Sequence, residues 1–363
     1  MTPTDSLRHL VSWGLAGGPT EPVELGSADG LASLAEFHQV TGVVLAALDQ
    51  GAASDVRASL VDDLAARHVG VLHRSLAAEA DLVTVARRLE ARGIEFRVLK
   101  GCATAHLDYV DPAMRATSDV DLLVRSERLA PATDAVEGLV DRTRTVPDRR
   151  RSWTERYGKD RTLALHTGGE LDLHRMLVPG FHGLVDDHDW FASPESFTLA
   201  GAELAALATP DRLVHAIAHA GFADHVRYHS IRDVPVLLAA VGDEWRTAVE
   251  DHPHWQGLIA RGIEVVWSQF DLQPHRIREW AAGVQPDWRE RAALRTFDLP
   301  GSRQHWGGVA AVAPWRWPGL LVPISVPSRS YLAFYDRTPW SHVRATVTKV
   351  GRGRGVRRDR RAP

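Results

Sequence analysis

The sequence predicts a mixed α+β fold, with a small mixed β-sheet core flanked by N- and C-terminal helical regions. Two observations carry this. Apolar residues recur at three- and four-residue steps from Leu31 to about Arg92, and again from about 201 to 300, which is the period of an amphipathic helix. Between these regions the period shortens to alternation, in Ile94–Leu99, Val120–Val124, Thr162–His166 and Leu171–His174, as expected of strands. The chain accordingly divides into a helical region at 1–92, a catalytic core at 93–195, a second helical region at 196–340 and a basic tail at 341–363 that is expected to be disordered.

Residues 14–30 are rich in Gly and Pro and read as a loop. In the first helical region Leu60, Leu64, Val69, Leu72 and Leu76 suggest one buried stripe. A last helix runs through Leu82, Val85 and Leu89 to a stop at Gly93. The strand Ile94–Leu99 ends at Lys100-Gly101, and Cys102–Leu107 suits a following helix. After the strand Val120–Val124 a helix fits Glu127 to Leu139. Residues 161–177 form a hairpin about the turn Thr167-Gly168-Gly169-Glu170. Thr209 precedes Pro210 as an N-cap for the returning helices. Residues 301–328, with Trp306, Trp315 and Trp317, read as a loop.

Composition narrows the function. The 363 residues are 44% hydrophobic and 25% charged, and 43 basic against 46 acidic side chains give a net charge of −3, which excludes binding of nucleic acid by bulk charge alone. The tail 341–363 holds eight basic residues and one acid, so the body carries −10. Only Lys100, Lys159 and Lys349 are lysines. The single cysteine, Cys102, rules out an internal disulfide and any Cys-based zinc cluster, and packing suits it better than nucleophilic work. The N-terminus shows no secretory pattern, and no run approaches the roughly 18 apolar residues of a spanning helix. A soluble, cytoplasmic protein without integral membrane association is expected.

The chemistry centres on Ser118-Asp119-Val120-Asp121-Leu122. Alternate residues of a strand share a face, so Asp119 and Asp121 project together while Val120 and Leu122 point into apolar packing. Two adjacent carboxylates repel unless a cation lies between them, and Mg²⁺ or Mn²⁺ is a natural occupant when phosphates supply the remaining ligands. Asp172 and His174 share the polar face of the second hairpin strand. Were the two strands neighbours, Asp119, Asp121 and Asp172 would converge as metal ligands for an in-line phosphoryl or nucleotidyl transfer. Asp187-His188-Asp189 has the same spacing but sits in a polar loop.

Leu99-Lys100-Gly101, Tyr109, Arg115, Asp119–Val124 and Leu171–His174, taken in order, resemble an uncharacterised bacterial nucleotidyltransferase family of the DNA polymerase beta-like superfamily. His38 and the histidine-rich stretch Leu213–Asp233 extend the resemblance. It implies an NTP substrate, with ATP the first choice, and a glycine turn at a helix N-terminus that cradles the triphosphate. Asp119 and Asp121 would hold the metals, with Asp172 as third ligand and proton acceptor. Lys100, Gly101, Arg115 and His174 would contact nucleotide, with Arg115 alternatively pairing with the carboxylates and His174 alternatively orienting one. Where the wider superfamily commonly has Ser after its glycine, this chain has Cys102, and Lys100 would stand in as a point charge on phosphate.

Other patterns compete. His215/His219 and His225/His229 have helical i,i+4 spacing but lack the zinc-protease glutamate, so packing or roofing of the site is the expected role. The basic stretch Arg142–Arg161 reads as a solvated loop or a contact for triphosphate. The Trp-rich segment and Arg tail are candidates for touching an anionic partner. The acceptor (small molecule, peptide, protein or RNA) is not legible. Two rival functions are a nucleotide- or partner-binding pseudoenzyme on the same fold and a DxD glycosyltransferase.

Overall fold

A computed structural model describes residues 1–26, 29–150, 153–178, 187–222, 227–297 and 314–352. The N-terminal region comprises α1 (Pro3–Ser12), α2 (Leu31–Phe37), α3 (Thr41–Asp49) and α4 (Ala58–Glu90). The last is a single rod of 33 residues. Its buried positions include Leu64, Val71, Ala78 and Val85, a seven-residue spacing that keeps one seam facing the core. The expected stripe is therefore corrected. Val69, five residues after Leu64, and Leu76, which continues the count from it, are 52% and 60% exposed.

The mixed α+β class is as the sequence predicts. Next come β1 (Phe96–Val98), α5 (Lys100–Asp108), β2 (Val120–Val124), α6 (Leu129–Val136), α7 (Trp153–Tyr157), β3 (Asp160–Ala164) and β4 (Glu170–His174). A further hairpin, β5 (Glu195–Leu199) and β6 (Ala202–Ala206), follows. The six strands lie in the order β3-β4-β2-β1-β6-β5, with β2–β4 and β1–β6 parallel and the remaining pairs antiparallel. The second hairpin contradicts the expectation of helix from about 201. Ala200 and Gly201, both at positive φ (46° and 77°), make the two-residue turn that suits a twisted hairpin. Phe197, Leu199 and Leu204 bury the apolar side of that hairpin.

The C-terminal helices are α8 (Thr209–Phe222), α9 (Tyr228–Ile231), α10 (Asp233–Val241), α11 (Trp245–Glu250), α12 (Gln256–Gln269), α13 (Arg276–Gly283) and α14 (Trp288–Phe297). Three later helices span Trp317–Ser325, Arg329–Phe334 and Pro339–Arg352. The first corrects the loop expected at 301–328: Pro318 falls in its opening turn, where a missing N–H costs nothing, and Leu320 and Ile324 are buried. The third extends order into the expected tail. Its start is tied by reciprocal bonds between Thr338 and Ser341. Trp306, His225 and residues 353–363 lie outside the described residues. The basic stretch is docked onto these helices: Arg149 stacks on Trp153 and Tyr331, and Arg150 donates to the Val326 carbonyl.

Two apolar clusters sandwich the sheet. Val120, Leu122, Val124, Leu171 and Leu173 join Leu82, Val85, Leu89 and α6 residues in one. Leu99 and Leu123, from the opposite face, join the N-terminal helices and α8–α12 in the other. The polar face of β2 and β4 is therefore turned toward α8. No helix among the described residues is long and apolar enough to cross a membrane.

The close approach of α8 and α12 depends on glycine. A Cβ at Gly262 would strike the Ile217 carbonyl, and one at Gly221 would lie 2.7 Å from the Leu258 carbonyl. Gly262→Ala is expected to lower stability by about 1–3 kcal/mol through overpacking. Gly138→Ala, where nothing lies within 4 Å, should be near neutral, and denaturant midpoints of the two variants make the comparison.

Candidate active site

The β2–β4 ladder sets the site. Its parallel register pairs Asp121 with Asp172 and Leu123 with His174, so the conditional in the sequence reading is met: the strands are neighbours. Ligand atoms of Asp121, Asp172 and His174 all lie within 4.8 Å of one another. Asp119, just before β2, stands beside this trio and is coupled to it by charge.

Asp121 is 7% exposed, and an isolated charge there would be costly. Lys100 Nζ donates to its Oδ1 at 3.0 Å, and His174 Nε2 approaches the same oxygen at 2.7 Å. Burial alone would raise the Asp121 pKa, but Lys100 and His174 outweigh it and hold the carboxyl well below its usual range. Burial likewise works against the Lys100 charge, and the facing carboxylates overcome it and raise its pKa. His174 is pushed the other way, chiefly by burial and by Lys159. The neutral imidazole therefore presents an N–H to Asp121, and orienting that carboxylate is the role its geometry fits. Both bonds to Asp121 fall on Oδ1, which leaves Oδ2 for another partner.

The other two carboxylates lack such compensation. Burial and the neighbouring Asp121 raise the pKa of Asp119. Burial, Asp121 and Asp160 push Asp172 up to about 7, although Thr162 donates to its Oδ1 at 2.5 Å. The cluster carries more negative charge than its surroundings neutralise, and this deficit fits a bound divalent cation.

Lys100 occupies a strained backbone position, with φ 45°, sparsely populated by side chains other than Gly and Asn. The strain lies at the strand-to-helix turn that aims its ammonium at Asp121, a placement typical of functional sites. Gly101 is required next to it, because a Cβ there would meet Thr117 Oγ1 at 2.8 Å. Thr117 is in turn clamped by Ser75 of α4, whose hydroxyl accepts from the Thr117 N–H and donates to its carbonyl.

Arg115 is bonded to a different carboxylate, Asp233, while its charge still reaches Asp119. Its Nε and Nη2 make a forked pair with Asp233 at 2.7 Å, both side chains about 5% exposed, and Nη1 donates to the Ala116 carbonyl. Tyr109 also donates to Asp233. This fork ties the β2 approach to α10, 118 residues apart in sequence, and Arg115 also lines the cavity shared with Lys100. His215 is buried and His219 half-buried, desolvation holds both imidazoles well below their usual pKa, and both line a cavity shared with Lys100 and Thr104. They roof the site. Cys102 is buried with its thiol pushed up to about 12, which fits packing. His38 stacks on Tyr228 at 4.1 Å and is likewise structural.

One pair escaped the sequence reading. Lys159 Nζ binds Asp160 Oδ2 at 2.9 Å, and that oxygen lies 3.6 Å from His174 Nδ1. Two lysine–aspartate pairs, Lys100–Asp121 and Lys159–Asp160, thus flank the neutral His174 imidazole. The scarcity of lysine was the available signal, since two of the three lysines in the chain meet here.

A family model described as an uncharacterised nucleotidyltransferase matches residues 26–260. No curated protein matches the chain. An antigenic nucleotidyltransferase-like protein from Paracoccidioides brasiliensis is similar over 51% of this chain and 93% of its own, at 15% identity and a TM-score of 0.31.

The charge on Asp172 gives a pH signature. Its ionised form is the costly one in the fold, so the cost is absent below the ordinary carboxylate pKa, near 4, and complete above about 7. Asp172→Asn should raise the melting temperature at pH 8 and leave it unchanged at pH 4. At pH 8, Mg²⁺ or Mn²⁺ should stabilise the natural protein and have a much smaller effect on the variant. Equal shifts at both pH values would contradict this account of the site.

Proposed function

The chain belongs to this nucleotidyltransferase family, and from that premise we propose that it moves NMP from an NTP, with ATP the first donor to test, onto a hydroxyl acceptor. The observation that carries the reading is the register opposing Asp121 to Asp172, with Lys100 and a helix N-terminus beside them. Asp119, Asp121 and Asp172 would hold Mg²⁺ or Mn²⁺. A cation there would neutralise phosphate charge and favour loss of the acceptor proton.

The residues of the chain then divide the work. Asp172, with its raised pKa, accepts the proton from the acceptor hydroxyl. The acceptor oxygen forms its bond to the α-phosphorus as the α–β phosphoanhydride breaks, and pyrophosphate leaves with the bonding pair. His174 fixes the orientation of Asp121. Lys100 exchanges its Asp121 partner for a phosphate oxygen, and Gly101 lets the start of α5 approach closely, where backbone N–H groups favour an anion. Arg115 and Asp233 position the segment before β2. The catalytic region expected at 93–195 is extended in this proposal to include β6, which completes the sheet beside β1.

One observation favours a second reading. The Lys100–Asp121 ion pair already neutralises the central carboxylate, as a nucleotide-binding protein without turnover would require. Family membership favours nucleotidyl over glycosyl transfer. Incubation with each α-labelled NTP, Mg²⁺ or Mn²⁺ and a cell extract separates the two remaining readings. Transfer of label that falls at least about 100-fold in Asp119→Ala/Asp121→Ala supports the transferase, and NTP binding without transfer under either metal supports the binding protein.

Lys100→Met tests the exchange of partners. It removes the charge on phosphate and also the counter-charge of Asp121. Nucleotide affinity is expected to fall about tenfold or more, while affinity for the free divalent cation rises, as titration calorimetry would measure.

A further inference from the structure

Outside the carboxylate cluster, three sequence-distant segments bring His188, Asp211 and His252 together. His188 lies in the loop before β5, Asp211 in the first turn of α8, and His252 in the connection between α11 and α12. One ligand atom from each falls within 4.8 Å of the others. His188 Nε2 is 3.0 Å from Asp211 Oδ1, and the two imidazole rings are 4.5 Å apart at 50°.

The rings are held by aromatic packing. His252, 6% exposed, stacks on Trp190 at 5.1 Å and 15°, and on Trp255 at 5.5 Å and 27°. Trp190 also meets His188 edge-on at 4.5 Å. A hydrogen bond joins His188 to Asp211, and the stacked tryptophans hold a second imidazole against that same pair. Asp187 and His254 lie at the exposed rim, 4.0 Å apart.

We propose that His188, Asp211 and His252 form a second metal site, selective for a borderline transition-metal cation of the Zn²⁺ class. Two imidazole nitrogens and one carboxylate suit Zn²⁺ far better than Mg²⁺ or Ca²⁺, which take oxygen ligands. Three protein ligands leave a fourth position toward the rim, for water or for Asp187. The site pins the N-terminal turn of α8 to the β5 approach and to the helices behind it. His215, four residues after Asp211, lines the cavity shared with Lys100, so the cation steadies the roof over the carboxylates without joining them. The inference stands independently of the proposed reaction.

The test uses the full chain, stripped with chelator and titrated with Zn²⁺ alone by calorimetry and thermal melting, and with Co²⁺ by visible absorption. One tight equivalent, distinct from any taken by the carboxylate cluster, is expected to bind, raise the melting temperature and give the intense cobalt bands of a low-coordinate site. Binding should persist in Asp119→Ala/Asp121→Ala and weaken about 100-fold in His188→Gln, since loss of a ligand costs at least as much as loss of a residue that orients one. His188, with 29% of its side chain exposed, tolerates that change even if the buried His252→Gln fails to fold. No stoichiometric Zn²⁺ binding, undiminished binding in His188→Gln, or binding abolished by the Asp119/Asp121 substitutions would each overturn the proposal.

Discussion

Parallel pairing of β2 with β4 sets Asp121 against Asp172 on a sheet face that is largely buried, and like charges at that spacing repel. The surrounding structure is arranged around this repulsion. Lys100 and His174 converge on one oxygen of Asp121, Thr162 restrains Asp172, and Asp160 with Lys159 closes the far side. The opposite face of the same strands carries Val120, Leu122, Leu171 and Leu173 into the apolar cluster under α4 and α6. A one-residue slip of either strand would exchange these two faces. Apolar burial thus specifies the register, and the register brings the carboxylates together.

Long-range ties keep the approach to this face in place. The Arg115–Asp233 fork joins the residues before β2 to α10. Arg212 of α8 pairs with Asp108 at the end of α5 and with Glu195 at the start of β5. Removing one member of such a buried pair costs more than the pair contributes, because the survivor stays buried and uncompensated. The helical regions are therefore part of the site's construction, with α5 and α8 fixed to one another and to the sheet.

Much of this was legible in the sequence, for physical reasons that also mark its limits. Val120–Val124 and Leu171–His174 were readable because one face of each is apolar, and the i,i+2 rule then assigned Asp121, Asp172 and His174 to the other. The hairpin β5–β6 escaped because its turn is Ala200-Gly201 and its second strand, Ala202–Ala206, has the composition of a helix. Val69 and Leu76 misled because the five-residue step from Leu64 to Val69 leaves the buried seam of Leu64, Val71 and Ala78, and Leu76 follows Val69 on the same side. The partner of Arg115 could not be found locally, since Asp233 lies 118 residues away. The strain at Lys100 and the contact that demands Gly101 are properties of the assembled turn.

In the proposed mechanism Asp119, Asp121 and Asp172 form a cation site from which Lys100 moves to meet phosphate. Crystals grown with Mn²⁺ and a non-hydrolysable NTP analogue test it most directly, through the anomalous signal of manganese. The account predicts manganese bound between Asp121 and Asp172, with the Lys100 ammonium on a phosphate oxygen. Nucleotide bound with no manganese at these carboxylates, and with Lys100 still paired to Asp121, would contradict it.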